Sequence, residues 1–191
     1  MIRIGIIGDI GSGKSYVAKQ FGFPVFNADK EVKKIYNKNE KCFKKLKKVL
    51  PKHVFSFPIK KEELFKAVIE NKDNIKKINK IIHPEVRIKM KGFIKKNKKK
   101  KAIVLDIPLL LEGKINNRRD ILLFVEAKKK DINKRLKKRF NFNSKIIRKL
   151  KKLQIPLETK KRKSNFVIKN NFKSLSVKKN VKMLKNKILN K

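Results

Sequence analysis

The segment Gly8-Asp9-Ile10-Gly11-Ser12-Gly13-Lys14-Ser15 fits the pattern G-x-x-x-x-G-K-[ST] at every position. Its chemistry is phosphate binding. Gly8, Gly11 and Gly13 let the main chain wrap closely around phosphate oxygens, in conformations that side chains obstruct. Main-chain amides and the start of a following helix offer partial positive charge to the anion. Lys14 reaches the β- and γ-phosphates of a nucleoside triphosphate, and the Ser15 hydroxyl can ligate Mg²⁺. The pattern recurs by chance, so context decides. Here an apolar run, Ile2 to Ile7, precedes it, and a helical pattern opens at Lys14 and continues through Tyr16 to Phe21.

Other residues could do chemistry beside this loop. Asp106 stands near the end of an apolar run, as does the acid that reaches Mg²⁺ or its waters in phosphate-loop proteins. Asp29 follows a second short apolar stretch. A carboxylate there can accept the proton of an attacking hydroxyl, or it can cap the helix that follows. Arg135 and Arg139 are one helical turn apart. They suit neutralisation of a transferring phosphoryl group, or simply a charged surface. His83 precedes Pro84 at the end of a helical stretch, where a structural role is the ordinary one. The sequence offers no Cys/His grouping for zinc and no nucleophile triad.

The elements that must position these residues follow from periodicity. Ile2 to Ile7 reads as a buried strand and Pro24 to Asn27 as a second. From Asn37 to Asn97 apolar residues recur at three- and four-residue spacing, with Pro51, Pro58 and Pro84 as punctuation. This reads as a helical insertion. Ala102 to Leu111 is a continuous apolar run suited to a central parallel strand. Ile121 to Val125 is the next strand. Helices follow over Lys130 to Phe140 and through Ile147, Leu150 and Leu153. Asn165 to Lys169 is the last strand, and Ser174 to Leu189 a closing helix with Leu175, Val177, Val181, Leu184 and Ile188 toward the core. Alternating strands and helices imply an α/β fold with a parallel sheet flanked by helices.

Bulk composition bounds the partners. The 191 residues carry a net charge of +42, almost entirely from lysine. Clustered arginine with stacking aromatics would indicate a nucleic-acid site. Instead the lysines are spread along nearly the whole chain, with abundant Ile and Asn, as an A/T-rich genome would produce. Nucleic acid is therefore not expected as a partner, although the charge can steer anionic substrates. Cys42 is the single cysteine, so no internal disulfide forms. No apolar run approaches a membrane span. A cytoplasmic protein without a membrane partner is the expectation.

Taken together, the segments resemble the dephospho-CoA kinase family from Ile4 to about Asn170. The loop Gly8 to Ser15 is followed by Val17-Ala18. The D-A-D segment stands as Asn27-Ala28-Asp29 and the His-Pro pair as His83-Pro84. The most discriminating piece, D-x-P-L-L-x-E, is Asp106-Ile107-Pro108-Leu109-Leu110-Leu111-Glu112. The R-L-x-x-R segment is Arg135-Leu136-Lys137-Lys138-Arg139, and Gln154 and Ile168-Lys169-Asn170 close the match. The resemblance implies a P-loop sheet carrying a helical substrate-binding insertion and a helical lid. In one kinase domain, 1–191, the core would be 1–36, 102–128 and 164–191, the insertion about 37–101 and the lid about 129–163.

It further implies transfer of the γ-phosphoryl of ATP to the ribose 3′-hydroxyl of dephospho-CoA, with Mg²⁺, as the last step of coenzyme A biosynthesis. Catalysis would fall to Asp29 as base, with Lys14, Arg135 and Arg139. ATP would meet Gly11, Ser12, Gly13, Lys14, Ser15, Tyr16 and Asn170. The acceptor would meet Asp29, His83, Arg87, Asp106, Pro108 and Leu109. Ser15 and Asp106 would hold Mg²⁺, directly or through water.

Three positions depart from the family pattern. Asp9 stands in place of Gly, and a carboxylate there weakens ATP binding unless its side chain turns away. Tyr16 replaces Thr, leaving Ser15 as the Mg²⁺ hydroxyl. Asn27 replaces Asp and cannot act as a base. Two rivals remain open at this level: a P-loop kinase with another small-molecule acceptor, and a basic nucleic-acid-binding ATPase.

Overall fold

The computed structural model describes residues 1–138, 143–152 and 154–190; the expectations that fall on Arg139, Phe140 and Leu153 lie outside the described residues. Two compact units divide the chain: Met1–Asn27 with Asn97–Lys191, and Ala28–Lys96.

The first unit is built on a parallel sheet. Its strands are β1 (Ile2–Gly8), β2 (Val25–Asn27), β3 (Ala102–Asp106), β4 (Ile121–Glu126) and β5 (Phe166–Lys169), in the order β2-β3-β1-β4-β5. β1 lies between β3 and β4, with Ile4 paired to Val104 on one side and to Ile121 on the other. Both faces of β1 and β3 are covered, which explains why they read as unbroken apolar runs. Ile4 and Ile6, Ala102 and Val104, Leu123 and Val125, and Ile168 form one face. They pack with Val17, Ala18 and Phe21 of α1 (Lys14–Gln20) and its C-cap, and with Val177, Val181 and Ile188 of the closing helix (Ser174–Leu189).

In that closing helix Leu175 is 83% exposed, against the sequence expectation. Val177, Val181, Leu184 and Ile188 share the stripe that a period of 3.6 residues selects, and Leu175 falls outside it.

The second unit is all helical: α2 (Ala28–Lys38), α3 (Glu40–Val49), α4 (Lys61–Glu70) and α5 (Asn74–Lys96). α5 contacts the other three and buries Ile78, Ile82, Val86 and Met90 at four-residue steps. The expected break at Pro84 does not occur; α5 runs through it. Proline removes one main-chain donor, but a long helix anchored by a buried stripe can absorb that loss. α3 opens at Asn39, whose side chain accepts from the Cys42 amide at 3.0 Å, an N-cap of the usual kind.

The run expected as a strand over Ala102 to Leu111 is a strand only to Asp106. Pro108 lacks the N–H that a sheet ladder needs. The chain turns instead, with the Gly113 amide donating to Leu109 O at 2.9 Å and the Ile115 amide to Leu110 O at 3.1 Å. After β4 come α6 (Lys129–Lys137), α7 (Ser144–Lys152), the short α8 (Leu157–Arg162), β5 and α9 (Ser174–Leu189). No helix among the described residues is long and apolar enough to cross a membrane.

Candidate active site

The phosphate loop begins where β1 ends and closes at Gly13, the N-cap of α1. Gly13 has φ 88°, and a Cβ there would collide with the amide of Asn170. Gly11 has φ 85°, and a Cβ would stand 3.0 Å from Leu136 and 3.1 Å from Ile132. Its glycine thus serves a packing need besides the phosphate one: it lets the buried face of α6 rest on the loop. In the first turn of α1 the Tyr16 and Val17 amides donate to Gly13 O at 3.0 and 3.1 Å, and the start of a helix carries the partial positive charge that suits an anion.

Lys14 Nζ donates to Asp9 O at 2.7 Å and Gly8 O at 3.2 Å. The ammonium is therefore already held over the loop, on carbonyls it can leave for phosphate oxygens. Ser12 is fully buried and its hydroxyl has no hydrogen-bond partner among the described residues. Ser15 is exposed at the start of α1.

Asp9 is 7% exposed, and its carboxylate is committed. Oδ1 accepts from the Ile10 amide at 2.7 Å, and Oδ2 lies 3.6 Å from Lys151 Nζ of α7. The side chain engages its own loop and a lysine rather than standing open, which answers the concern raised by its identity.

Asp106 is the last residue of β3 and is 3% exposed. It pairs in register with Ile6 of β1 and with Asn27 of β2. Asn27 Nδ2 donates to Asp106 Oδ2. An aspartate at 27 would set two carboxylates side by side, whereas the amide supplies a donor to a buried charge.

A pocket of about 190 Å³ opens beside the loop, lined by Gly13, Tyr16, Arg135, Asn170, Phe172 and Ser174. Arg135 Cζ stands 4.5 Å from the centre of the Phe172 ring, a cation–π contact. Asn170 is buried and bonded through both ends of its amide: Nδ2 donates to Ser12 O at 2.8 Å, and Oδ1 accepts from the Phe172 amide at 2.9 Å. It ties the turn after β5 to the phosphate loop. Tyr16 Oη and Ser174 Oγ are 2.7 Å apart. Phe172 and Ser174 escaped the sequence reading. Phe172 has φ 62°, and no pattern announces an aromatic residue in that conformation.

In the helical unit, Asp29 is the second residue of α2 and exposed. It lies inside the first turn rather than at the N-cap, where a negative charge still complements the helix dipole. His83 and Arg87 sit one turn apart on α5. Burial, with a smaller contribution from the Arg87 charge, holds the His83 imidazole below its usual pKa of 6.5. Arg87 itself is exposed. Pro108 and Leu109 are half-buried in the turn after β3. Arg139 lies outside the described residues.

Mg²⁺ takes oxygen ligands and keeps several waters, so it needs few protein groups. Ser15 and Asp106 offer a hydroxyl and a carboxylate, both hard oxygen donors. No cluster of three or more His, Cys, Asp or Glu occurs among the described residues. The donor set fits an ion held mainly by nucleotide phosphates and water.

Against known proteins, a family model described as dephospho-CoA kinase matches residues 2–175. A Fusobacterium nucleatum protein named dephospho-CoA kinase is 35% identical over 175 residues, covering 88% of this chain and 89% of that one. The crystal structure of TT1252 from Thermus thermophilus superposes with a TM-score of 0.79 at 27% identity, covering 99% of this chain and 97% of that one. A Campylobacter jejuni dephospho-CoA kinase shares the fold, with a TM-score of 0.67 at 22% identity over 98% of this chain and 97% of that one.

Proposed function

The chain belongs to the dephospho-CoA kinase family and is an ATP-dependent kinase; on that premise we propose that it moves the γ-phosphoryl of ATP to the ribose 3′-hydroxyl of dephospho-CoA, with Asp29 as general base. The observation that carries this reading is the shared end of β1 and β3. There a glycine loop with a poised lysine, Gly8 to Ser15, lies beside the buried carboxylate of Asp106.

In this reading ATP replaces the loop carbonyls as partner of Lys14, which then neutralises the β- and γ-phosphates. Asp29 accepts the proton of the 3′-hydroxyl as its oxygen attacks the γ-phosphorus. The bond to the β–γ bridging oxygen breaks and ADP leaves. Arg135 and Arg139 offset charge on the transferring group and belong to a lid over residues 129–163, whose closure excludes water as a competing acceptor. The purine occupies the pocket of Tyr16, Arg135 and Phe172, where a flat ring system meets aromatic and guanidinium faces. His83 and Arg87, in the helical stretch between β2 and β3, and Pro108 and Leu109 hold the acceptor. Ser15 and Asp106 would hold Mg²⁺, which would supply neutralisation of phosphate charge when bound. With one cysteine and no internal disulfide, a cytoplasmic setting suits the enzyme.

An acceptor screen with ATP and Mg²⁺ tests the proposal. ADP release is expected with dephospho-CoA and not with nucleoside monophosphates, shikimate or nucleic acid. Turnover that requires DNA or RNA, or that prefers another alcohol, rejects it.

A further inference from the structure

The turn that follows β3 is held from two directions. On one side Leu110 is fully buried against β1, in the space that glycine leaves: a Cβ on Gly5 would come within 2.6 Å of Leu110 Cδ2. On the other side Glu112 Oε1 accepts from Lys160 Nζ at 2.7 Å and from the Ile155 amide at 3.1 Å. Lys160 is 1% exposed, the buried residue of α8, while Arg162 in the same helix faces solvent. Glu112 Oε2 is buried and has no hydrogen-bond partner among the described residues.

Stability alone is a weak reason for such a pair. Desolvating two charges offsets most of their mutual attraction, and apolar side chains of similar volume commonly serve as well. A buried acceptor left without a donor adds to the penalty. What an ion pair does that apolar packing does not is fix direction. The Glu112 oxygen defines where the 107–112 turn must stand relative to Ile155 and Lys160. Those two residues belong to the stretch by which the chain returns from α7 to the sheet.

We infer that Glu112 and Lys160 are positioning residues for the phosphoryl acceptor: their buried ion pair fixes the turn that presents Pro108 and Leu109 and ties it to the return segment of the lid. The inference rests on the acceptor role proposed above for Pro108 and Leu109. Neither Glu112 nor Lys160 touches substrate; both act through the turn.

The test uses the full chain and steady-state kinetics in both substrates, with thermal melting alongside. In the double variant Glu112→Gln/Lys160→Met both charges are gone, so no lone buried charge remains to unfold the protein. Its KM for dephospho-CoA should rise at least about tenfold, because misplacement of a positioning element falls on the substrate it positions. Its KM for ATP should stay within about threefold of the parent. Parental KM values for both substrates, with or without a lower melting temperature, would make the pair merely structural and overturn the inference. Should that double variant fail to fold, Glu112→Gln/Lys160→Gln, which likewise leaves no lone buried charge, is read by the same criterion. Leu109→Ala separates the two levels. A raised acceptor KM there, with parental values in the pair variants, sinks the pair while sparing the acceptor reading. An unchanged acceptor KM in Leu109→Ala overturns that reading, and the inference with it.

Discussion

The phosphate loop and the helical unit prepare for a substrate in opposite ways. In residues 8–15 the proposed binding surface is main chain, closed by glycines at Gly11 and Gly13, with one lysine already resting on loop carbonyls. In Ala28–Lys96 the candidate groups are single side chains, Asp29 on α2 and His83 and Arg87 on α5, with no loop or turn devoted to them. A main-chain site depends on backbone conformation and is harmed by an added Cβ. A side-chain site depends on residue identity, while its helices form for reasons of core packing. The first should therefore be rigid and generic, and the second specific and easily altered.

That contrast can be broken by substitution. Lys14→Ala removes the one side-chain charge of the loop that serves both ground and transition states. Its kcat/KM for ATP should fall by about 10³-fold, with nucleotide binding weakened as well, as for loss of a strong electrostatic contact. Near-parental kinetics in a rapid-mix assay would end the phosphate role of this lysine.

Asp29→Asn should act on the other side of the contrast. The expected result is a drop in kcat of about 10² with ATP affinity retained, measured by nucleotide titration against single-turnover rate. Equal losses in ATP binding and rate would show that the two regions are not separable in function.

The smallest effect sharpens the comparison within the loop. Asp9→Gly removes a carboxylate that is engaged by Ile10 and Lys151 rather than presented to the nucleotide. ATP should bind no more than about fivefold tighter, the range of a screened charge effect. A gain of two orders of magnitude in the measured Kd would mean that Asp9 faces the phosphates after all.

Legibility followed the same division. The loop, the parallel sheet and the stripe of α9 from Val177 to Ile188 could all be read from spacing, because main-chain wrapping and periodic burial are local properties of a chain. Leu175 and the extent of β3 were misread at the margins. In β3 the apolar run continues beyond the strand and Pro108 ends the ladder, while Leu175 lies within α9 but off the phase of its buried stripe. Among the candidate acceptor residues, Asp29 and Asp106 stood out by their place after apolar stretches, but His83 and Arg87 were not legible from spacing. A histidine and an arginine one turn apart on a long helix carry no signal of their own, and they entered through resemblance. Phe172 and Ser174 had neither kind of signal.

The sequence by itself singled out Gly8 to Ser15 as the candidate phosphate site, and determined that the sheet is parallel and to which family the chain belongs. These rest on short-range order: a glycine pattern between strand and helix, apolar periodicities, and a sequence of motifs at fixed spacing. Tertiary structure alone decided that Asn27 donates to Asp106, that Asp9 meets Lys151, that Arg135 lies over Phe172, and that Glu112 and Lys160 pair out of water. Each of these joins residues far apart in the chain. Their meeting depends on the strand order β2-β3-β1-β4-β5 and on how helices close over it, and no local pattern encodes which distant side chain will satisfy a buried charge.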